Sequence, residues 1–221
     1  MSQIQTILEK TKGTAAYEIL TKMEAVYQRI NEEQEKWYKA TDFLCISGCG
    51  QCCENFEPDL FEYEALYMAA WLLENQYETA LKVLERGFPF KRPAGCQFYN
   101  PQSPYHCSIY GGRPFVCRFF GACCSYSKTG EKVWKPCKFY PSTALAAHEP
   151  PLEHRQYIGN EIVSALGAIP PAMNDFMRDT LSFDSENTEL VRDILPSKIH
   201  WLLWIIDMND NPQSPDTPAA A

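Results

Sequence analysis

All ten cysteines of this chain fall between Cys45 and Cys137, and that confinement constrains the fold more than any other feature. The densest stretch, CISGCGQCC at 45–53, places four of them in nine residues. Thiols at this density form a disulfide knot, a zinc knuckle or the cradle of an iron–sulfur cluster. Redox compartment separates the first from the other two. The N-terminus MSQIQTILEK has no basic segment followed by an apolar run, and no apolar segment, 201–206 included, is long enough to span a bilayer. A cytoplasmic location with no membrane association is therefore expected. A reducing cytosol disfavours structural disulfides, and the long cysteine-free flanks are unlike a small stapled secreted domain. Metal ligation is the expectation, with Cys45, Cys49, Cys52, Cys53, Cys96, Cys107, Cys117, Cys123, Cys124 and Cys137 as candidate ligands.

The flanks read as helices. Ile19, Leu20, Met23, Val26, Tyr27 and Ile30 recur at spacings of three and four, a helical stripe. Gly13 separates this helix from a shorter one carrying Ile4, Ile7 and Leu8. After the first cysteine group, Pro58 suits a helix start and DLFEYEALYMAAWLLEN continues it. A short helix over 77–86 stops at Gly87 and Pro89. From 88 to 150 periodicity vanishes and Pro, Gly, Ser and Asn become frequent, with a turn expected at 127–130. So long an irregular stretch needs something besides secondary structure to hold it, and metal ligation supplies that. Helical signals return over 151–166, 171–181 and 187–208. The expected fold class is mainly α, with helices flanking a long irregular cysteine-rich segment held together by metal ligation. Residues 1–210 form a single metal-binding helical domain, with the cysteine cluster at 45–140 and a disordered tail at 211–221.

Cys45, Cys49 and Cys52 also spell C-x3-C-x2-C, the signature of radical enzymes that use S-adenosylmethionine. Such enzymes set those cysteines after the first strand of a large β/α barrel, and this chain lacks repeated strand–helix units. Charge excludes another class. The net charge of −8 argues against a general nucleic-acid binder. Within 86–140, however, nine Lys or Arg face one acid, Glu131, giving +8 and leaving −16 elsewhere. Cations in that segment offset thiolate charge, or make a basic docking face for an acidic partner.

The order Cys49-Gly-Gln-Cys52-Cys53, then Cys96-Gln-Phe-Tyr99, then Cys107-Ser-Ile-Tyr110-Gly-Gly-Arg113-Pro114-Phe-Val-Cys117-Arg118-Phe resembles the YkgJ-type CxxCxxCC cysteine-cluster family. The resemblance covers about a third of the chain. It implies a zinc- or iron-chelating protein, distantly related to the flagellin lysine methylases, which carry a [4Fe–4S] cluster. That family has two residues between its first two cysteines where this chain has three, so Cys45 departs from the pattern, and Cys123, Cys124 and Cys137 lie beyond it.

Adjacent side chains in extended backbone point to opposite sides, so Cys52 and Cys53, like Cys123 and Cys124, are expected to diverge. One of each pair would then face a metal and the other a second metal or the core. Ten cysteines allow two four-thiolate sites. Only Cys49-x2-Cys52 has zinc-knuckle spacing, and irregular gaps suit a cluster better, so a [4Fe–4S] cluster, with room for two, is preferred to zinc. Aromatics crowding the segment, among them Phe98, Tyr99, Tyr105, Tyr110, Phe115, Phe119, Phe120, Tyr126 and Trp134, either shield a cluster or build core. Arg113 and Arg118 flank Cys117 and are the candidate cofactor-binding cations, or else pin the loop. His106 is the one histidine beside a cysteine.

Three functions fit: a redox, electron-transfer or accessory iron–sulfur protein working with a redox or enzyme partner; an S-adenosylmethionine-dependent protein methyltransferase similar to the flagellin lysine methylases, for which no Gly-rich cofactor loop is evident; and a zinc-stapled interaction module. No Ser/His/Asp set or phosphate loop is present. The sequence supports a site rather than a reaction.

Overall fold

The computed structural model describes residues 2–43, 49–85, 87–89, 92–180, 183 and 187–211. Cys45 and the tail beyond 211 lie outside the described residues. The elements run α1 (Gln5–Lys10), α2 (Ala15–Ala40), α3 (Gln51–Glu54), β1 (Asp59–Leu60), α4 (Glu62–Asn75) and α5 (Tyr77–Leu84), then α6 (Phe115–Phe119), β2 (Ser125–Tyr126), β3 (Lys132–Trp134) and α7 (Ser142–Ala146), and finally β4 (Tyr157–Ile158), α8 (Asn160–Leu166), α9 (Met173–Met177), β5 (Glu189–Leu190) and α10 (Val191–Asp210). The chain is mainly α.

Helix α2 begins where Thr14 accepts a hydrogen bond from the Tyr17 amide at 3.3 Å, a side-chain N-cap. Its buried positions Leu20, Met23, Val26, Tyr27, Ile30, Gln34 and Trp37 form the stripe expected of a helix packed on one side. Helix α4 is different: ten of its fourteen residues are buried, because α1, α2, α5 and α10 all pack against it. A helix apolar on most of its surface belongs at the centre of a bundle. It also starts later than Pro58 suggested. Asp59 and Leu60 are diverted into an antiparallel pairing with Leu190 and Glu189, and the Glu64 carboxylate accepts the Phe61 amide at 3.1 Å to set the true start. Beside that pairing Arg192 grips Glu57, its Nε donating at 2.6 Å, which fastens α10 to the segment entering α4.

The irregular stretch is not without structure. Strands β2, β3 and β4 form a small antiparallel sheet, with Ser125 opposite Val133 and Trp134 opposite Tyr157. The β2–β3 turn falls at the expected place, closed by Gly130 at φ +82°, a left-handed conformation that glycine adopts without strain. The expected helix over 151–166 is realised only at 160–166, since Tyr157 and Ile158 are spent on the sheet. That over 171–181 contracts to α9 and a following 3-10 turn.

Two hydrophobic cores result. The larger joins α1, α2, α4, α5 and α10 with Phe98, Ile109, Phe115 and Phe119. The smaller gathers Trp37, Phe43, Trp134, Leu145, Leu152, Tyr157, Ile162 and Leu166. Helix α2 serves both, its first half in one and Trp37 in the other. No described helix is long and apolar enough to cross a membrane.

Candidate metal centre

Six cysteines from three parts of the chain line one cavity of about 410 Å³: Cys49, Cys52 and Cys53, then Cys96 and Cys107, then Cys117. Each group is placed by identifiable contacts.

Cys52 and Cys53 ride on α3, one helical turn opened by Gly50 at φ +56°. The Cys53 and Glu54 amides both donate to the Gly50 carbonyl, at 2.9 and 3.1 Å. A Cβ on Gly50 would lie 2.1 Å from His106 Nδ1, so the glycine is needed for close approach as well as for its dihedral. Because the backbone here is helical, the two sulfurs do not diverge. They stand 4.0 Å apart and both face the cavity.

Cys96 is fastened to that turn, its amide donating to the Cys53 carbonyl at 3.0 Å. Gly95, at φ +78°, lies so close that an added Cβ would be 2.2 Å from the Glu54 carbonyl oxygen. Cys107 is returned to Cys96 by a short ladder in which Asn100 donates to His106 O and Ser108 to Phe98 O.

Cys117 lies on α6, and three buried polar side chains hold that helix. Glu64 accepts the Phe115 amide at 2.7 Å, satisfying a donor at the helix start. Gln34 donates to the Arg118 carbonyl at 2.7 Å and to Ala122 O at 3.3 Å at its far end. Arg118 stacks over Tyr27, 4.0 Å from the ring centre, and donates to Arg113 O at 2.7 Å, to Asn31 Oδ1 and to Gly111 O. Gly111 and Gly112 let the Trp71 ring press directly on that backbone; an added Cβ on either would fall 2.6 or 3.0 Å from it.

Cys137 lies to one side. With Cys49 it lines a narrow apolar pocket of about 30 Å³ among Trp37, Tyr38, Phe43 and Phe120, close enough to Cys52 and Cys49 for their charges to bear on it. Cys123 and Cys124 line neither cavity. Cys123 packs against the larger core and Cys124 lies in the smaller, so this vicinal pair does diverge. The Cys124 thiol, 1% exposed, donates to Pro170 O at 3.1 Å. His106 packs edge-on to Tyr99 and is not part of the cavity wall.

The neutral form is favoured at Cys52, Cys96, Cys107, Cys117 and Cys137. The neighbouring Cys53 sulfur, with burial, raises Cys52; burial pushes Cys96 up to about 12 and raises Cys107, Cys117 and Cys137. Their mutual repulsion adds to this: Cys117 feels Cys96, Cys107 and Cys52, and Cys107 feels Cys52. Thiols of this kind are poor nucleophiles at neutral pH, whereas a bound cation deprotonates them outright. The rest of the wall suits an anionic thiolate centre. It carries Arg113 and Arg118 and, among the described residues, no Asp or Glu. Among those residues no three His, Cys, Asp or Glu side chains converge tightly enough to hold a single ion; the sulfurs ring the cavity instead. Donor type, charge and room all fit a polythiolate metal centre.

Tyr105, Tyr110 and Phe120 face the cavity as well, whereas Phe98, Phe115, Phe119 and Trp134 are core. Sequence reasoning missed Gln34, Tyr38, Phe56 and Glu64. Two had a signal: Gln34 is a polar residue at a stripe position of α2, and Glu64 interrupts the apolar run of α4.

The sequence model of the CxxCxxCC family, described as a "putative zinc- or iron-chelating domain", matches residues 44–138. That span takes in all six cysteines of the cavity together with Cys137. No curated protein and no solved structure matches the chain.

Proposed function

We propose that the CxxCxxCC domain of residues 44–138 binds a [4Fe–4S] cluster through cysteine thiolates and serves in redox chemistry with a partner protein. What carries the reading is the cavity itself: six thiols around about 410 Å³ under two arginines. A single zinc ion draws four sulfurs to within about 2.3 Å of one point and leaves no such space. A multi-iron cluster needs ligands spread around a volume and tolerates irregular spacing.

Cys52, Cys96, Cys107 and Cys117, which bear on one another electrostatically, are the ligands of this proposal. Cys49, Cys53 and Cys137 stand beside them. Bound there, the cluster would supply one-electron chemistry. The protein's own part is to hold the ligands rigidly, through Glu64, Gln34 and Arg118 on α6, to offset thiolate charge with Arg113 and Arg118, and to limit water with Tyr38, Phe56 and Phe120. Zinc stapling is the second reading, favoured by the Cys49-x2-Cys52 knuckle.

Reversible reduction tests the proposal. Anaerobically purified protein should show broad visible absorption that dithionite bleaches and a mild oxidant restores. Colourless protein with no response to dithionite would refute the redox reading.

A further inference from the structure

We infer that the same cavity is a small-molecule site and that its ligand is an aromatic carboxylate. This rests on the metal-centre reading only for the identity of the cavity floor. Pockets that take organic ligands are mostly apolar with a few convergent polar groups. Away from the sulfurs the wall has that character, with Tyr38, Phe56, Tyr105, Tyr110 and Phe120 among its members.

Two of these rings stand in water. Tyr105 is 62% and Tyr110 39% exposed, and their rings stack at 4.1 Å with 24° between planes. Contiguous exposed aromatic surface at a cavity wall is a mark of ligand contact. The Arg113 guanidinium lies 3.3 Å from the Tyr110 ring centre. At those two distances it must occupy the face opposite Tyr105, so Tyr110 is sandwiched between them. Arg113 Nε donates to Tyr110 O at 2.8 Å, which orients the group further. Arg118 spends its nitrogens on Arg113 O, Asn31 and Gly111 O. Arg113 has no hydrogen bond or ion pair at either Nη among the described residues, in a wall without carboxylates. A rigid guanidinium with its fork available pairs bidentately with a carboxylate, and the tyrosine wall beside it takes the ring.

Calorimetric titration of the full chain, purified anaerobically with the metal it carries, tests this with naphthoate as probe. Naphthylmethanol keeps the aromatic rings without the charge, and cyclohexanecarboxylate keeps the charge without the aromaticity. Naphthoate should saturate one site and bind at least about tenfold tighter than either, since a charge-assisted bidentate pair and aromatic contact each contribute on that order. Tyr105→Ala and Arg113→Gln should each weaken it about tenfold, with metal content in Tyr105→Ala unchanged. No saturation in metal-loaded protein would overturn the inference, as would equal binding of cyclohexanecarboxylate or indifference to both substitutions. Protein without metal that still binds naphthoate in this pattern would uphold the ligand site and refute the metal centre, so the two claims fail separately.

Discussion

At the scale of single residues, the nine described cysteines occupy three kinds of environment. Cys49, Cys52, Cys53, Cys96, Cys107 and Cys117 share one cavity, Cys137 sits beside it in a pocket that Cys49 also lines, and Cys123 and Cys124 pack into the cores, the Cys124 thiol donating to a carbonyl. Cys117→Ser should therefore lower bound metal to less than half, whereas Cys124→Ser should leave metal content intact and lower the thermal midpoint. Metal analysis and thermal melts on the two variants separate these outcomes. Glu64 makes a second prediction. It is 4% exposed, and burial pushes its carboxyl up to about 7 against the opposing effect of the Phe115 and Phe61 amides. The folded state thus binds a proton more tightly than the unfolded chain. Its stabilising effect is full below the ordinary Glu value and is lost as pH rises through about 7, up to roughly 3 kcal/mol. Glu64→Gln removes this dependence, although it sets an amide NH₂ against a backbone N–H. Denaturant melts of both proteins between pH 5 and about 8 should show wild type losing ground to the variant as pH rises. A constant gap would contradict the assignment.

At the scale of elements, the helices were legible and the site's carriers were not. The stripe of α2 and the apolar run of α4 follow from side-chain periodicity, which a helix of any context must satisfy. Helices α3 and α6, which present Cys52, Cys53 and Cys117, are four and five residues long. No periodicity can be read over one turn, and both exist because distant groups complete them: Glu64 and Gln34 for α6, the 95–96 backbone for α3. The divergence expected of Cys52 and Cys53 failed for that reason, while Cys123 and Cys124, outside any helix, do diverge. Gly95→Ala probes this dependence. It forces a Cβ to 2.2 Å from the Glu54 carbonyl and strains φ +78°, so it should cost more than about 1 kcal/mol and separate Cys96 from Cys53. Lowered metal content in protein whose helical circular dichroism is retained is the expected result.

At the scale of the whole molecule, two hydrophobic cores meet around a cavity whose lining residues belong to both. Cys96 and Cys107 come from the larger, and Tyr38 packs against the smaller. On the proposed metal centre, binding free energy becomes folding free energy for the segment that carries these thiols. The ordered cysteine pattern made the site legible in the sequence, but not which cysteines share it, since that depends on contacts such as Gln34 to α6 across 84 residues. The most direct test is to count iron, zinc and acid-labile sulfide per chain after anaerobic purification. The account predicts about four irons with equal sulfide, or about eight of each if the outlying cysteines build a second cluster. Stoichiometric zinc with no sulfide would contradict it.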